Sequence, residues 1–103
     1  MDAESGPEKD LEKEVISKRV VVYGRVQGVF FRDSLRRVAA GLGVRGWVRN
    51  REDGSVEAVL EGRPTAVAEA LEFMKVGPPR ARVDSIRIWD ETPSGYDRFD
   101  IVG

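Results

Sequence analysis

Three consecutive valines, Val20 to Val22, lead within two residues into Gly24-Arg25-Val26-Gln27-Gly28-Val29-Phe30-Phe31-Arg32, and a helical pattern starts directly afterwards. A β-like run that hands over to a helix so quickly forces a sharp backbone turn, and the first turn of any helix leaves N–H groups without intrahelical partners. Gly24 and Gly28 carry no Cβ where such a turn needs freedom. Arg32, at the helix entrance, adds a permanent positive charge whose planar fork suits phosphate oxygens. The natural occupant is an anion. The ordinary structural alternative stays open at this point, because glycine is common in strand-to-helix turns and many helix-entry arginines face solvent.

The remaining pattern sets the fold. The first strand is expected over Lys18–Arg25. From Asp33 to Leu42, Leu35, Val38, Ala39 and Leu42 share one helical face with Arg36 and Arg37 outside it, and the glycines at 41 and 43 stop the helix. Val44–Asn50 reads as a second strand, Arg51-Glu52-Asp53-Gly54 as a hairpin turn, and Ser55–Gly62 as a half-buried strand with Val56, Ala58 and Leu60 on the inner side. Pro64 and Thr65 open a second helix that turns Val67, Ala70, Leu71 and Met74 inward, and Gly77-Pro78-Pro79 ends it. Strands over Arg82–Asp90 and Arg98–Val102 complete the order. The expectation is an α+β, ferredoxin-like (split βαβ) sandwich: an antiparallel sheet with two helices on one face. In that arrangement the first and third strands are neighbours, and the end of the second strand lies on the same side as the glycine loop. Asn50 then arrives near Arg32, although an Asn at a strand end is more commonly a turn residue.

Residues 1–17 alternate charges around a Gly-Pro pair with little hydrophobicity, and read as a disordered acidic leader before a single domain over 18–103. No stretch suits a transmembrane helix, and the acidic first residues do not resemble a signal peptide, so a cytoplasmic location is expected. With neither His nor Cys in 103 residues, Ser-His-Asp, Cys-His, His-metal and zinc-cysteine chemistries all drop out. Any catalysis must use Arg, Asn, carboxylates and backbone amides.

Other motifs do not survive their context. Gly41-Leu42-Gly43-Val44-Arg45-Gly46 spells G-x-G-x-x-G but leaves a helix and enters a strand, the reverse of a dinucleotide site. There is no Walker A sequence. The pairs Glu52-Asp53 and Asp90-Glu91 are adjacent acids near turns, where solvated carboxylates are ordinary, and Trp47, Trp89, Phe73 and Tyr96 fit core or edge positions.

The loop from Gly24 to Arg32 closely resembles the signature of the acylphosphatase family, and Gly46-Trp47-Val48-Arg49-Asn50 resembles its second signature, with Asn50 eighteen positions after Arg32. The likeness spans Arg19 to Val102. It implies hydrolysis of a carboxyl-phosphate anhydride to a carboxylate and inorganic phosphate, with no metal, cofactor or covalent intermediate. By the same resemblance, Arg32 and the amides of Gln27, Gly28, Val29, Phe30, Phe31 and Arg32 would bind phosphoryl oxygens, and Asn50 would hold the attacking water. Arg51 departs from the pattern, which more familiar members fill with Thr.

Two other functions share this element order. An RNA-recognition domain needs stacking aromatics on its central strand, and Ser55-Val56-Glu57-Ala58-Val59-Leu60-Glu61 has none, so no nucleic-acid partner is expected. A non-catalytic module binding phosphate or carbamoyl phosphate, similar to the acylphosphatase-like domains of hydrogenase-maturation proteins, is the alternative. Those domains belong to long chains, which favours a freestanding monomeric enzyme here, acting on a small acyl phosphate without a membrane partner.

Overall fold

The computed structural model describes residues 14–103. Most of the expected leader therefore lies outside the described residues. The chain runs β1 (Ile16–Arg25), α1 (Phe31–Leu42), β2 (Arg45–Asn50), β3 (Val56–Gly62), α2 (Pro64–Val76), β4 (Arg82–Glu91) and β5 (Phe99–Ile101). Strands lie in the order β4-β1-β3-β2-β5. The four longer strands pair antiparallel, as expected, and β5 adds a short parallel edge beside β2, which makes the sheet mixed.

Both helices pack against one face. Leu35 and Ala39 of α1 and Val67, Ala70 and Met74 of α2 meet Val20, Val22, Val48, Val56, Ala58 and Leu60 of the sheet in a single core. The helical spacing anticipated these faces; what it missed is that α1 begins at Phe31, whose fully buried ring meets Phe73 at 6.1 Å between centroids. β1 likewise starts earlier than expected, since Ile16 and Ser17 already pair with Gly62 and Glu61.

The expected alternation of β3 is corrected. All seven of its residues are buried, Glu57 and Glu61 included. β3 is the central strand, so its backbone has neighbours on both sides, and its outer face is roofed by arginines and by the segment joining β4 to β5. Arg19 Nε donates to Glu57 Oε2 at 2.7 Å, and Arg49 holds Oε1 through Nε at 2.8 Å and Nη2 at 2.7 Å. Glu61 accepts from the backbone N–H groups of Ser94 and Gly95, each at 2.8 Å, and of Tyr96 at 3.3 Å. Each buried carboxylate is thus fully engaged, as a charge removed from water must be.

Gly24 is required where β1 leaves the sheet. The β1–β4 register shifts between Tyr23 and Gly24, and a Cβ at Gly24 would stand 2.2 Å from the Arg82 carbonyl oxygen. Only a residue without a side chain lets β4 follow β1 to the threshold of the loop.

Candidate active site

The loop between β1 and α1 is held by alternate anchors. Val26, Val29 and Phe31 are buried in the core, while Gln27, Gly28 and Phe30 lie between them, with Phe30 exposed. Gly28 has φ +74° and Phe30 φ +67°, whereas Val29 between them keeps a negative φ. Two left-handed residues flanking one of negative φ are the kind of backbone that can turn successive N–H groups toward one concavity, an anion nest. A side chain rarely adopts φ near +67°, at a cost of about 1–2 kcal/mol, so Phe30 stores strain at the mouth of the helix.

The N–H groups here are unspent. Phe30 caps α1 without a side-chain hydrogen bond, and the first main-chain bond into the helix runs from Ser34 N to Phe30 O at 3.0 Å. Among the described residues, no backbone N–H from Gln27 to Arg32 donates to a main-chain carbonyl or a side chain. The positive end of the α1 dipole adds to the same field. Arg32 sits in the first turn of α1, half-buried, and among the described residues it has no carboxylate partner. A Cβ on Gly28 would meet nothing within 4 Å, so the concavity is open at that point.

Asn50 ends β2 opposite Val56, and the end of β1 reaches Val56 from the other side through Val22. The half-buried Asn50 side chain carries an Oδ1 that is shielded from solvent and has no hydrogen-bond partner. Immediately after it, the hairpin closes with Gly54 N donating to Arg51 O at 3.2 Å and Arg51 N to Ser55 O at 2.9 Å. Asp53 caps this turn by accepting from Ser55 N at 2.9 Å, and the bonds from Ser55 hold its carboxyl below the usual range.

One contact joins the two halves. Gln27 Nε2 donates to Arg51 O at 2.8 Å and to Ser55 O at 2.9 Å. Sequence reasoning singled out Gln27 for its backbone N–H and missed its side chain; the signal was absent because the acceptors are two main-chain carbonyls more than twenty residues away. The structure therefore brings the loop from Gln27 to Arg32 and the Asn50 hairpin to one end of the sheet. Arg36, Arg37 and the pair Asp90-Glu91 stay outside it: Arg37 pairs with Asp33, and Asp90 and Glu91 lie along β1 near Lys18 and Arg19, whereas Glu52 and Asp53 belong to the hairpin itself, where Asp53 serves as the turn's cap. Trp47 is also elsewhere, on the outer sheet face, where its Nε1 donates to Tyr96 Oη at 3.1 Å.

This donor set suits one kind of ligand. A ring of N–H groups, a guanidinium and a helix N-terminus recognise a compact oxyanion, and an unpartnered carboxamide oxygen at the same end of the sheet can accept a hydrogen bond from water.

Comparison with known proteins agrees with that chemistry. The acylphosphatase family profile matches residues 18–101. A protein named acylphosphatase from Pyrobaculum islandicum is 50% identical over 91 residues, covering 86% of this chain and 96% of the relative. One of the same name from Rubrobacter xylanophilus is 56% identical over 84 residues, covering 80% and 76%. The structure of an acylphosphatase from Coxiella burnetii superposes with a TM-score of 0.84 at 36% identity, covering 88% of this chain and 96% of the other.

Proposed function

The chain belongs to the acylphosphatase family, and from that membership and the geometry above we infer that the loop from Gln27 to Arg32 binds a phosphoryl group while Asn50 holds the attacking water. Its activity is acyl phosphate hydrolysis, and its substrates are small acyl phosphates. The observation that carries the assignment of residues is an unsatisfied ring of donors and an unsatisfied acceptor at the same end of one sheet.

The chemistry follows from these groups. The N–H ring and Arg32 take the non-bridging phosphoryl oxygens and neutralise the charge that spreads over them in the transition state. Asn50 Oδ1 accepts a hydrogen bond from a water, which turns a lone pair of that water toward phosphorus. As the new P–O bond forms, the bond to the acyl oxygen breaks and its electron pair leaves on the carboxylate. The carboxylate is a good leaving group and needs no acid. The attacking water's proton passes to a phosphoryl oxygen, so no His or Cys is required and positioning supplies most of the acceleration. All these groups come from one chain, and a metal-independent cytoplasmic monomer is the form we assign to the enzyme.

The test is hydrolysis of benzoyl phosphate in EDTA by the native protein, Arg32→Ala and Asn50→Ala, each checked for folding by circular dichroism. Native turnover is expected, with Arg32→Ala inactive and Asn50→Ala reduced to a small but measurable residual rate. Loss of the Arg32 charged hydrogen bonds should weaken phosphate binding by roughly 1.5–3 kcal/mol. Unchanged turnover in Arg32→Ala overturns the assignment. Absent native turnover, with inorganic phosphate still raising the melting temperature, would make the domain a phosphate-binding module instead.

A further inference from the structure

The two hydrogens of the Gln27 carboxamide nitrogen are spent on two carbonyl oxygens of the hairpin that follows Asn50. Only a donor satisfies two carbonyls, so the orientation of the amide is unambiguous. Both acceptors also receive main-chain bonds that close the hairpin, from Gly54 N and Arg51 N. Gln27 therefore grips a segment already rigid, and it does so from the first residue of the anion nest, between the core anchors Val26 and Val29. No other side-chain hydrogen bond among the described residues joins the β1–α1 loop to this hairpin.

We propose that the Gln27 side chain is a positioning residue, setting the separation between the phosphoryl cradle and the water-holding Asn50. The inference rests on the site reading above and goes beyond it, because it gives a role to a side chain whose two donors are committed to the hairpin carbonyls. In-line attack is sensitive to such a setting: a displacement near 1 Å costs on the order of 100-fold in rate. The cradle itself is shaped by Gly28, Phe30 and the three buried anchors, so its affinity for phosphate does not depend on the Gln27 side-chain hydrogen bonds.

The experiment compares Gln27→Met, which keeps length without donors, and Gln27→Glu, which turns acceptors toward the two carbonyls. Each is made alone and on an Asn50→Ala background, with kcat for benzoyl phosphate and the inhibition constant of inorganic phosphate as readouts. In both single variants kcat should fall roughly 10- to 100-fold, with phosphate inhibition changed by no more than about twofold. On the Asn50→Ala background, where no water is held, the same substitutions should lower kcat by less than about twofold. Native kcat in Gln27→Met, or an equal loss on both backgrounds, overturns the proposal and leaves Gln27 a structural residue. Failure of the underlying site reading looks different: Asn50→Ala alone would keep native kcat.

Discussion

Val22 and Asn50 face the same residue, Val56, from opposite sides of β3. Both flanking strands run antiparallel to β3, so they run parallel to each other and their C-terminal ends leave the sheet together. That relationship delivers the loop after β1 and the amide at the end of β2 to one edge. It also fixes what charge is tolerated there. Asn50→Ala removes the carboxamide and leaves the cradle field intact, whereas Asn50→Asp puts a carboxylate beside the bound anion. Both variants should drop to a small residual turnover, but only Asn50→Asp should weaken inhibition of that residual rate by inorganic phosphate, by roughly tenfold or more at low salt. Equal inhibition in the two would place Asn50 away from the anion.

Phe30 pays for its conformation without the compensation of burial, since the residue is 68% exposed at φ +67°. Phe30→Gly should relieve about 1–2 kcal/mol of backbone strain while giving the unfolded chain about 0.4–1 kcal/mol of extra entropy. The expected net effect is a small gain in stability, read as a higher midpoint in urea. Gly28→Ala is the converse: its Cβ meets nothing within 4 Å, yet φ +74° is hostile to it, so a loss of about 1 kcal/mol is expected without any clash.

What the sequence disclosed follows from which interactions are local. Helical spacing marked both helices, and apolar runs bounded by turn residues marked the strands, because burial of Val20, Val22, Leu35 or Met74 leaves a local pattern in the chain. The glycine loop and Asn50 were legible for a similar reason, a turn chemistry confined to nine residues and a strand end. Glu57 and Glu61 were not. Read along β3 they look like a solvated face, and only the pairing of β1 and β2 on either side shows that Arg19 and Arg49 close over Glu57. The Gln27 bond was hidden too, since carbonyl acceptors leave no mark on residue identity.

The Glu57 site has an asymmetry that mutation exposes. Its carboxylate is 1% exposed, while Arg19 and Arg49 are each 46% exposed in their side chains. Removing the acid, as in Glu57→Gln, leaves two guanidiniums that water can still solvate, and about 1–3 kcal/mol of stability should go. Removing both arginines, as in Arg19→Met with Arg49→Met, strands a buried charge and should cost about 3–5 kcal/mol. Urea unfolding of the three proteins at neutral pH measures the order. A double-arginine variant more stable than Glu57→Gln would mean that the carboxylate reaches water in solution.

Acid stability follows from the same two carboxylates. Burial pushes Glu57 upward, but the hydrogen bonds and charges of Arg49 and Arg19 outweigh it and hold the group below its ordinary value of 4.5. Burial likewise opposes ionisation of Glu61, and the N–H groups of Ser94, Gly95 and Tyr96 outweigh it in turn. Both groups are depressed in the folded state, so the unfolded chain binds their protons first as pH falls. Their stabilisation is complete above the ordinary carboxylate value and disappears as pH drops through the lower folded values. The melting temperature should therefore hold from about pH 7 to about pH 5 and fall progressively below that. Asp53 and Asp84 are also depressed, but they lie in solvent and add little to the slope. Glu57→Gln and Glu61→Gln should each start from a lower melting temperature at neutral pH and lose less of it on acidification, the two curves converging on the native one at the acid end. A native-like acid slope in both variants would assign the transition to other carboxyls.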